Sequence, residues 1–237
     1  MDKRLQDIVN NFERMKIGLD DTFKFDCKIC GKCCIHREDI LLNPKDVYNM
    51  SKELNLTTED LVEKYCEAYI GSDSRIPIIR LLPRGSVNRC PLLKDRKCMV
   101  HQSKPTVCGM YPIGRCLVLA GKTAADIDLD SVQYIFNRPD CKGSEATETH
   151  TVREWLESFG IPVKDEFFIK WQKMVMEMGT VFRKIEKKVS EKTLEMLWNA
   201  AFIGLYLHYD TKLDFMSQFD ENAQKFTELL HSVVENV

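Results

Sequence analysis

The sequence lacks several features that would place it in common functional classes. Its 237 residues contain no run of about 18 apolar residues, so no membrane-spanning helix and no membrane partner are expected. The first ten residues, MDKRLQDIVN, have neither an apolar stretch nor a small-residue cleavage site, which argues against a signal peptide. We therefore expect a cytoplasmic protein.

An excess of charge of one sign is also missing. Lysine and arginine together number 34, and aspartate and glutamate number 36, so the formal net charge is −2. Nucleic acids bind strongly basic surfaces, so this balance predicts no nucleic-acid partner. Glycine-rich phosphate loops, serine–histidine–aspartate signals and the His-Glu-x-x-His motif are absent, and the sequence identifies no catalytic residue.

Cysteine, in contrast, is abundant and clustered. The ten cysteines of the chain are not expected to form structural disulfides in a reducing compartment, where clustered cysteines more often bind metal or do redox chemistry. The segment Cys27-Lys-Ile-Cys30-Gly-Lys-Cys33-Cys34 repeats the Cys-x-x-Cys spacing twice. That spacing occurs in the ligand runs of bacterial-type ferredoxins and also suits zinc. Because consecutive side chains tend to diverge, Cys33 and Cys34 are expected either to serve different metals or to include one residue outside the ligand set.

Further cysteines complete a predicted ligand set. Pro91 and Pro105 stiffen the loops that present the downstream thiols. Eight thiols suffice for two four-ligand centres, or for one centre with spare groups. Cys66 and Cys116 lie beside apolar residues and are expected in the core, whereas His101 has a spacing from Cys98 that zinc could use but could equally cap or pack. The predicted metal ligands are Cys27, Cys30, Cys33, Cys34, Cys90, Cys98, Cys108 and Cys141.

These elements resemble a known family. The cysteine segment at 27–34 is followed by Cys90-Pro91-x-Leu93, Cys98-x-Val100, Pro105-x-x-Cys108 and Tyr111-Pro112. This order resembles the YkgJ-like CxxCxxCC cysteine-cluster family, over roughly residues 25 to 145. The resemblance implies a protein that chelates zinc or iron, or that contains an iron–sulfur cluster. A flagellin lysine N-methylase is similar in its cysteine cluster, but no other feature of the sequence indicates a methylase activity.

The pattern of apolar residues predicts an α+β fold in two parts. Residues 1–145 are expected to form an irregular cysteine-rich metal-binding domain with short strands and helices. Within it, Asn43-Pro44 predicts a helix to about Leu54, and a second helix is expected from Thr57, with an apolar side that reaches Tyr69. Segment 88–116 is expected to be mostly loop. Residues 146–237 are expected to form an α-helical region packed on that domain, because apolar residues recur there at helical spacing.

Three functions remain open at the level of the sequence. The leading one is an intracellular protein that holds an iron–sulfur cluster, or iron, in a structural or redox role. The second is a zinc-stabilised protein-interaction module. The third is a metal-dependent, lysine N-methylase-like enzyme that modifies a protein or peptide, which would then be its partner; the sequence does not decide whether the chain is an enzyme.

Overall fold

A computed structural model describes residues 3–36, 40–119 and 121–235. Within them, helices and short strands alternate and three long helices close the chain, which confirms the predicted α+β class. The helices are α1 (Lys3–Met15), α2 (Pro44–Leu54), α3 (Thr58–Tyr65), α4 (Thr106–Met110), α5 (Val152–Ser158), α6 (Glu166–Ile185), α7 (Glu191–Phe202) and α8 (Phe215–Glu235). The strands are β1 (Lys16–Ile17), β2 (Thr22–Lys24), β3 (Leu41–Leu42), β4 (Cys66–Ile70), β5 (Pro77–Leu81), β6 (Leu93–Lys94), β7 (Lys97–Cys98), β8 (Ile113–Leu117), β9 (Val132–Phe136) and β10 (Thr149–Thr151).

Helix α2 begins where the sequence predicts. The Asn43 side chain accepts a hydrogen bond from the Asp46 backbone N–H at 2.8 Å, and the Asp46 carboxylate accepts one from the Asn43 backbone N–H at 3.1 Å. This reciprocal pair is a capping box. Pro44 has no backbone N–H, and at the first position of a helix this N–H would have no partner within the helix. The predicted helix from Asn43-Pro44 to Leu54 is confirmed.

Helix α3 begins at the predicted cap, Thr57, but ends earlier than expected. The predicted apolar side reaching Tyr69 is wrong, because the chain leaves the helix after Tyr65 and continues as β4. Strand β4 pairs antiparallel with β5, starting with Cys66 opposite Leu81. Hydrogen bonding to β5, the next strand along the chain, therefore outweighs the local helical spacing, which is ambiguous in a stretch this short.

Segment 88–116 contains the hairpin β6–β7, helix α4 and most of β8 between irregular stretches. These elements cover 13 of its 29 residues, so the expectation of a mostly loop segment is confirmed. The two hairpin strands are two residues long, too short to show alternation in the sequence. Strand β8 is defined by its antiparallel pairing with β9, which begins at Val132.

Two separate apolar cores hold the molecule together. The large core joins the β3–β5–β4 sheet and helices α2 and α3 to the C-terminal helices α6, α7 and α8. The small core joins strands β2, β8 and β9 to helix α5, with Met110 of α4 between them. Fully buried side chains of the large core include Val47, Met50, Leu61, Ile79, Phe182 and Phe219.

Both cores draw residues from either side of residue 145. The large core combines residues 40–100 with residues 167–230, and the small core combines residues 23–134 with residues 152–161. Helices α6 to α8 therefore share one core with α2 and α3. The division into a metal-binding domain, 1–145, and a helical region, 146–237, stays a prediction.

Candidate metal centre

One cavity collects the thiols that the sequence singles out. All eight predicted ligands line it, and it encloses about 90 Å³. Cys66 and Cys116 do not border it: Cys66 lies buried in the large core, as expected, and Cys116 is half-buried on β8. The fold thus separates eight cysteines from two in the way that their spacing predicts.

The Cys-x-x-Cys segment turns tightly at Gly31. This glycine has a φ of 73°, in the left-handed region that glycine adopts without strain, and it precedes a 3-10 turn over Lys32–Cys34. The backbone N–H of Cys34 donates to the Gly31 carbonyl at 3.0 Å, which closes the turn. The reversal brings the thiols on both sides of the glycine to the same cavity, as the Cys-x-x-Cys spacing predicts.

Cys33 and Cys34 lie closer together than expected. Their Sγ atoms are 3.9 Å apart, so the expectation that the two side chains diverge is wrong. The reason is the 3-10 turn, which has three residues per turn. The angle between the directions of consecutive side chains is therefore smaller than in an extended strand. Two thiolates on one tetrahedral zinc ion, with zinc–sulfur bonds of about 2.3 Å, stand about 3.8 Å apart. The pair is therefore spaced as two ligands of a single ion would be.

The downstream thiols reach the cavity on short, braced elements. The backbone N–H of Cys90 donates to the Cys34 carbonyl at 2.7 Å, which ties the two halves of the cluster directly. Cys98 ends the β6–β7 hairpin, and Cys108 lies in helix α4, where its N–H donates to Pro105 at 2.7 Å. The prolines predicted to stiffen these loops therefore adjoin backbone hydrogen bonds that fix the thiols.

Cys141 arrives from a loop that packs against the first cysteine segment. The Lys32 ammonium lies 2.8 Å from the Asp140 carboxylate, and the Asp26 N–H donates to the Gly143 carbonyl at 3.3 Å. A Cβ atom at Gly143 would lie 2.6 Å from the Asp26 carbonyl oxygen, too close for any other residue. Glycine at 143 therefore permits the approach that brings Cys141 to the cavity.

Five of the eight thiols divide between the two cores. Cys27 and Cys141 pack against the small core, whereas Cys90, Cys98 and Cys108 pack against the large core. The site therefore lies where the two cores meet.

Burial shapes the chemistry of these thiols. It raises the pKa of Cys90, Cys98 and Cys141, because an apolar setting disfavours the thiolate. The neighbouring Cys33 thiol, together with burial, raises the pKa of Cys34. Such groups hold their protons at neutral pH unless a cation replaces them, so the cavity favours neutral thiols or a metal, and not free thiolates.

The donor set suits a soft metal. Among the residues that the structure describes, no aspartate or glutamate lines the cavity, whereas Lys28, Arg96 and Lys104 lie around it and would balance the negative charge of thiolate ligands. Thiolates select zinc, copper(I) and iron–sulfur clusters over magnesium or calcium. In residues 3–36, 40–119 and 121–235, no group of three or more Cys, His, Asp or Glu side chains is already arranged to hold an ion. The residues present therefore fit a thiolate-bound metal by their chemistry, while closure around it requires small side-chain movements.

Sequence reasoning missed the aromatic wall of the site. Phe25, Tyr111, Trp155 and Phe159 line the cavity together with His101. The Trp155 indole N–H donates to the Met110 carbonyl at 3.1 Å, and the ring packs edge-on against Phe25 with centroids 5.4 Å apart. These rings come from distant segments, so no local motif could reveal them. They limit water at the thiols, which strengthens electrostatic interactions there.

Asp46 is a second contributor that no motif indicates. Besides its capping bond in α2, its carboxylate accepts hydrogen bonds from the Thr106 backbone N–H at 2.8 Å and the Thr106 hydroxyl at 2.7 Å. Thr106 is the first residue of α4, the helix that carries Cys108. Burial raises the pKa of Asp46, although these donors oppose the shift. Asp46 thus positions a cysteine-bearing helix on the large core.

We expect Asp46→Ala to destabilise the protein by about 2 kcal/mol, since it leaves donors at the starts of α2 and α4 without their acceptor. It should also weaken metal binding by roughly 10-fold, as loss of an outer-shell contact commonly does. Urea unfolding and metal competition measure the two effects. Asp60→Ala, which removes an acidic residue from the first turn of α3, is the control and should change stability by less than about 1 kcal/mol. Equal unfolding midpoints for both variants would contradict this role of Asp46.

The site defines a class of protein: a cysteine-cluster metal-binding domain. The family model described as "CxxCxxCC: Putative zinc- or iron-chelating domain" matches residues 26–142, so this part of the chain is similar to that family. The match contains all eight cysteines that line the cavity. Comparison with curated proteins and with solved structures gives no significant match. Across the described residues, no helix combines the length and the apolar character needed to cross a membrane.

Proposed function

We propose that the chain is a cytoplasmic iron–sulfur protein, whose cluster is held by thiols of the cavity in a structural or redox role. The observation that carries this proposal is the convergence of eight thiols on one cavity, with no carboxylate among the described residues that line it. One tetrahedral ion takes four ligands, so the number of thiols exceeds what a single zinc ion uses. A cavity of about 90 Å³ has room for several water-sized atoms, as inorganic iron and sulfide would need.

Thiols from both cores would hold the cluster. Cys27 and Cys141 would approach it from the small core, and Cys90, Cys98 and Cys108 from the large core. When bound, an iron–sulfur centre supplies one-electron transfer or simple cross-linking. The chain's own contribution is to orient the thiols, limit water through the aromatic wall and place lysine and arginine nearby.

The clustering of the cysteines supports a cytoplasmic location. Four of them lie within residues 27–34, and the sulfurs of Cys33 and Cys34 are 3.9 Å apart. In a reducing compartment, cysteines clustered in this way bind metal more often than they form structural disulfides.

A zinc-stabilised interaction module is the second candidate. The 3.9 Å separation of the Cys33 and Cys34 sulfurs favours it, because two cysteines on one ion suit a tetrahedral zinc site. In a four-iron cluster with four cysteines, each iron takes a single thiolate.

Protein purified without oxygen distinguishes the two candidates. We expect a brown solution with iron and acid-labile sulfide in equal amounts, and loss of colour on exposure to air. A colourless protein with stoichiometric zinc and no sulfide would reject the iron–sulfur proposal in favour of the zinc module. A protein with neither metal would reject both.

A further inference from the structure

A second cavity lies on the opposite side of helix α4 from the thiols. It has a volume of about 470 Å³, within the range of roughly 300 to 1,000 Å³ usual for small-molecule sites. Val107 borders both cavities, whereas Cys108 faces the thiols and Thr106 and Met110 face the second cavity. The two spaces are therefore separated by one short helix.

The walls of this second cavity are mainly apolar and come from distant segments. Helix α6 supplies Phe167, Phe168, Trp171 and Val175. Tyr206 comes from a π-helical turn, Ile203–Leu207, that follows α7. Such turns are rare and occur frequently at functional sites. An apolar cavity with a few polar groups is typical of sites for small organic molecules.

Arg115 is the polar group best placed to bind a ligand. Its side chain is only 5% exposed, its Nη1 lies 2.8 Å from Asp165 Oδ2, and its guanidinium lies 3.7 Å from the centre of the Phe168 ring. A guanidinium has five N–H donors. The pair with Asp165 uses one and a hydrogen bond with the Tyr134 side chain uses another, which leaves donors for a ligand.

The charges around the second cavity favour an uncharged ligand. The positive charge of Arg115 is already paired with Asp165, and buried Asp46 accepts hydrogen bonds from Asn43 and Thr106. An anion would lie near two carboxyl groups, and a cation would lie near Arg115. Burying an ion without a free opposite charge is costly, so either kind of ion is disfavoured.

We propose that this second cavity binds an uncharged, mostly apolar small molecule, with a hydrogen-bond acceptor directed at Arg115. The aromatic side chains of α6 contact its apolar body. This site is distinct from the thiol cavity and goes beyond the proposed metal-binding function.

Titration with prodan, a neutral naphthalene ketone whose emission shifts to the blue in apolar surroundings, tests the proposal on the full chain. We expect saturable binding to one site. Gln172→Trp fills the cavity and should weaken binding by at least ~10-fold, about 1.4 kcal/mol. Val175→Trp, one turn further along α6, fills the same cavity. It replaces the first variant in the test if that variant folds poorly. Glu177→Trp adds the same side chain at an exposed position of α6 and should bind prodan as the wild type does.

Metal content measured on the same samples keeps this test separate from the metal proposal. Saturable binding lost in a folded cavity-filling variant and kept in Glu177→Trp supports the site. No saturable binding to the wild type would overturn the proposal. Equal affinity of the wild type and of a folded cavity-filling variant would also overturn it, because the probe would then bind elsewhere.

Discussion

Cys30→Ser and Cys98→Ser are each expected to remove most of the bound metal, whereas Cys116→Ser retains it. Cys30 and Cys98 line the cavity from opposite halves of the cluster, one on the first cysteine segment and one on the β6–β7 hairpin. Serine keeps the shape of the side chain but replaces a soft sulfur with an oxygen that zinc and iron–sulfur centres bind less well. Loss of an outer-shell partner commonly costs 10–100-fold in affinity, so loss of a ligand should cost at least ~100-fold.

Cys116 is the matched control for this series. It is half-buried, as the two test cysteines are, but it lies on β8 and does not border the thiol cavity. Cys66 is less suitable, since serine in its place would bury a hydroxyl in the large core, at a cost of about 1–3 kcal/mol. Elemental analysis of the three purified variants gives the answer. Equal metal loss in all three would show that the thiols of the cavity are not the ligands.

Removal of the metal is expected to loosen the loops around the thiols far more than the two cores. Backbone amides in residues 27–34, 90–98 and 138–145 should lose protection from hydrogen exchange. These segments contain short turns and two-residue strands, and their side chains line the cavity. We therefore expect the bound metal to be the main interaction that keeps them ordered. A structural metal can contribute on the order of 10 kcal/mol, comparable to the whole stability of a domain.

The large core should keep its protection without metal. Its fully buried side chains, such as Leu61 and Phe182, lie in helices that pack against one another and away from the thiol cavity. Because α2 and α3 share this core with α6 to α8, we expect both groups of helices to remain protected together. Hydrogen exchange measures the difference in protection between metal-loaded and chelated protein. Chelated Cys116→Ser is the control. Uniform loss along the chain would instead show one cooperative unit that the metal holds together.

Local patterns predict the parts of this fold that depend on local interactions. The capping residues Asn43 and Pro44 fix the start of α2, and the apolar spacing of the C-terminal third fixes three long helices. The end of α3 was not predictable, because the spacing of the residues from Cys66 onward does not show that they pair with β5. Helical spacing over two turns cannot be distinguished from a strand until the pairing partner is known.

The candidate site shows the same division. The spacing of the cysteines and the order of their motifs predict which eight belong together, and all eight line one cavity. It does not predict the 3.9 Å contact of Cys33 with Cys34, which depends on a 3-10 turn. Nor does it predict Asp46 or Trp155, whose roles arise from hydrogen bonds to residues about 45 to 60 positions away. Contacts of that kind exist only once the chain has folded.

Native mass spectrometry of protein purified without oxygen tests the central claim, that the thiol cavity binds metal, most directly. The chain alone has a mass of 27.5 kDa. We predict a folded species heavier than the chain by the mass of bound iron and sulfide, with the excess lost on acid denaturation and much reduced in Cys30→Ser. A folded wild-type protein with the mass of the bare chain, still free of metal after incubation with iron and sulfide or with zinc, would contradict the account.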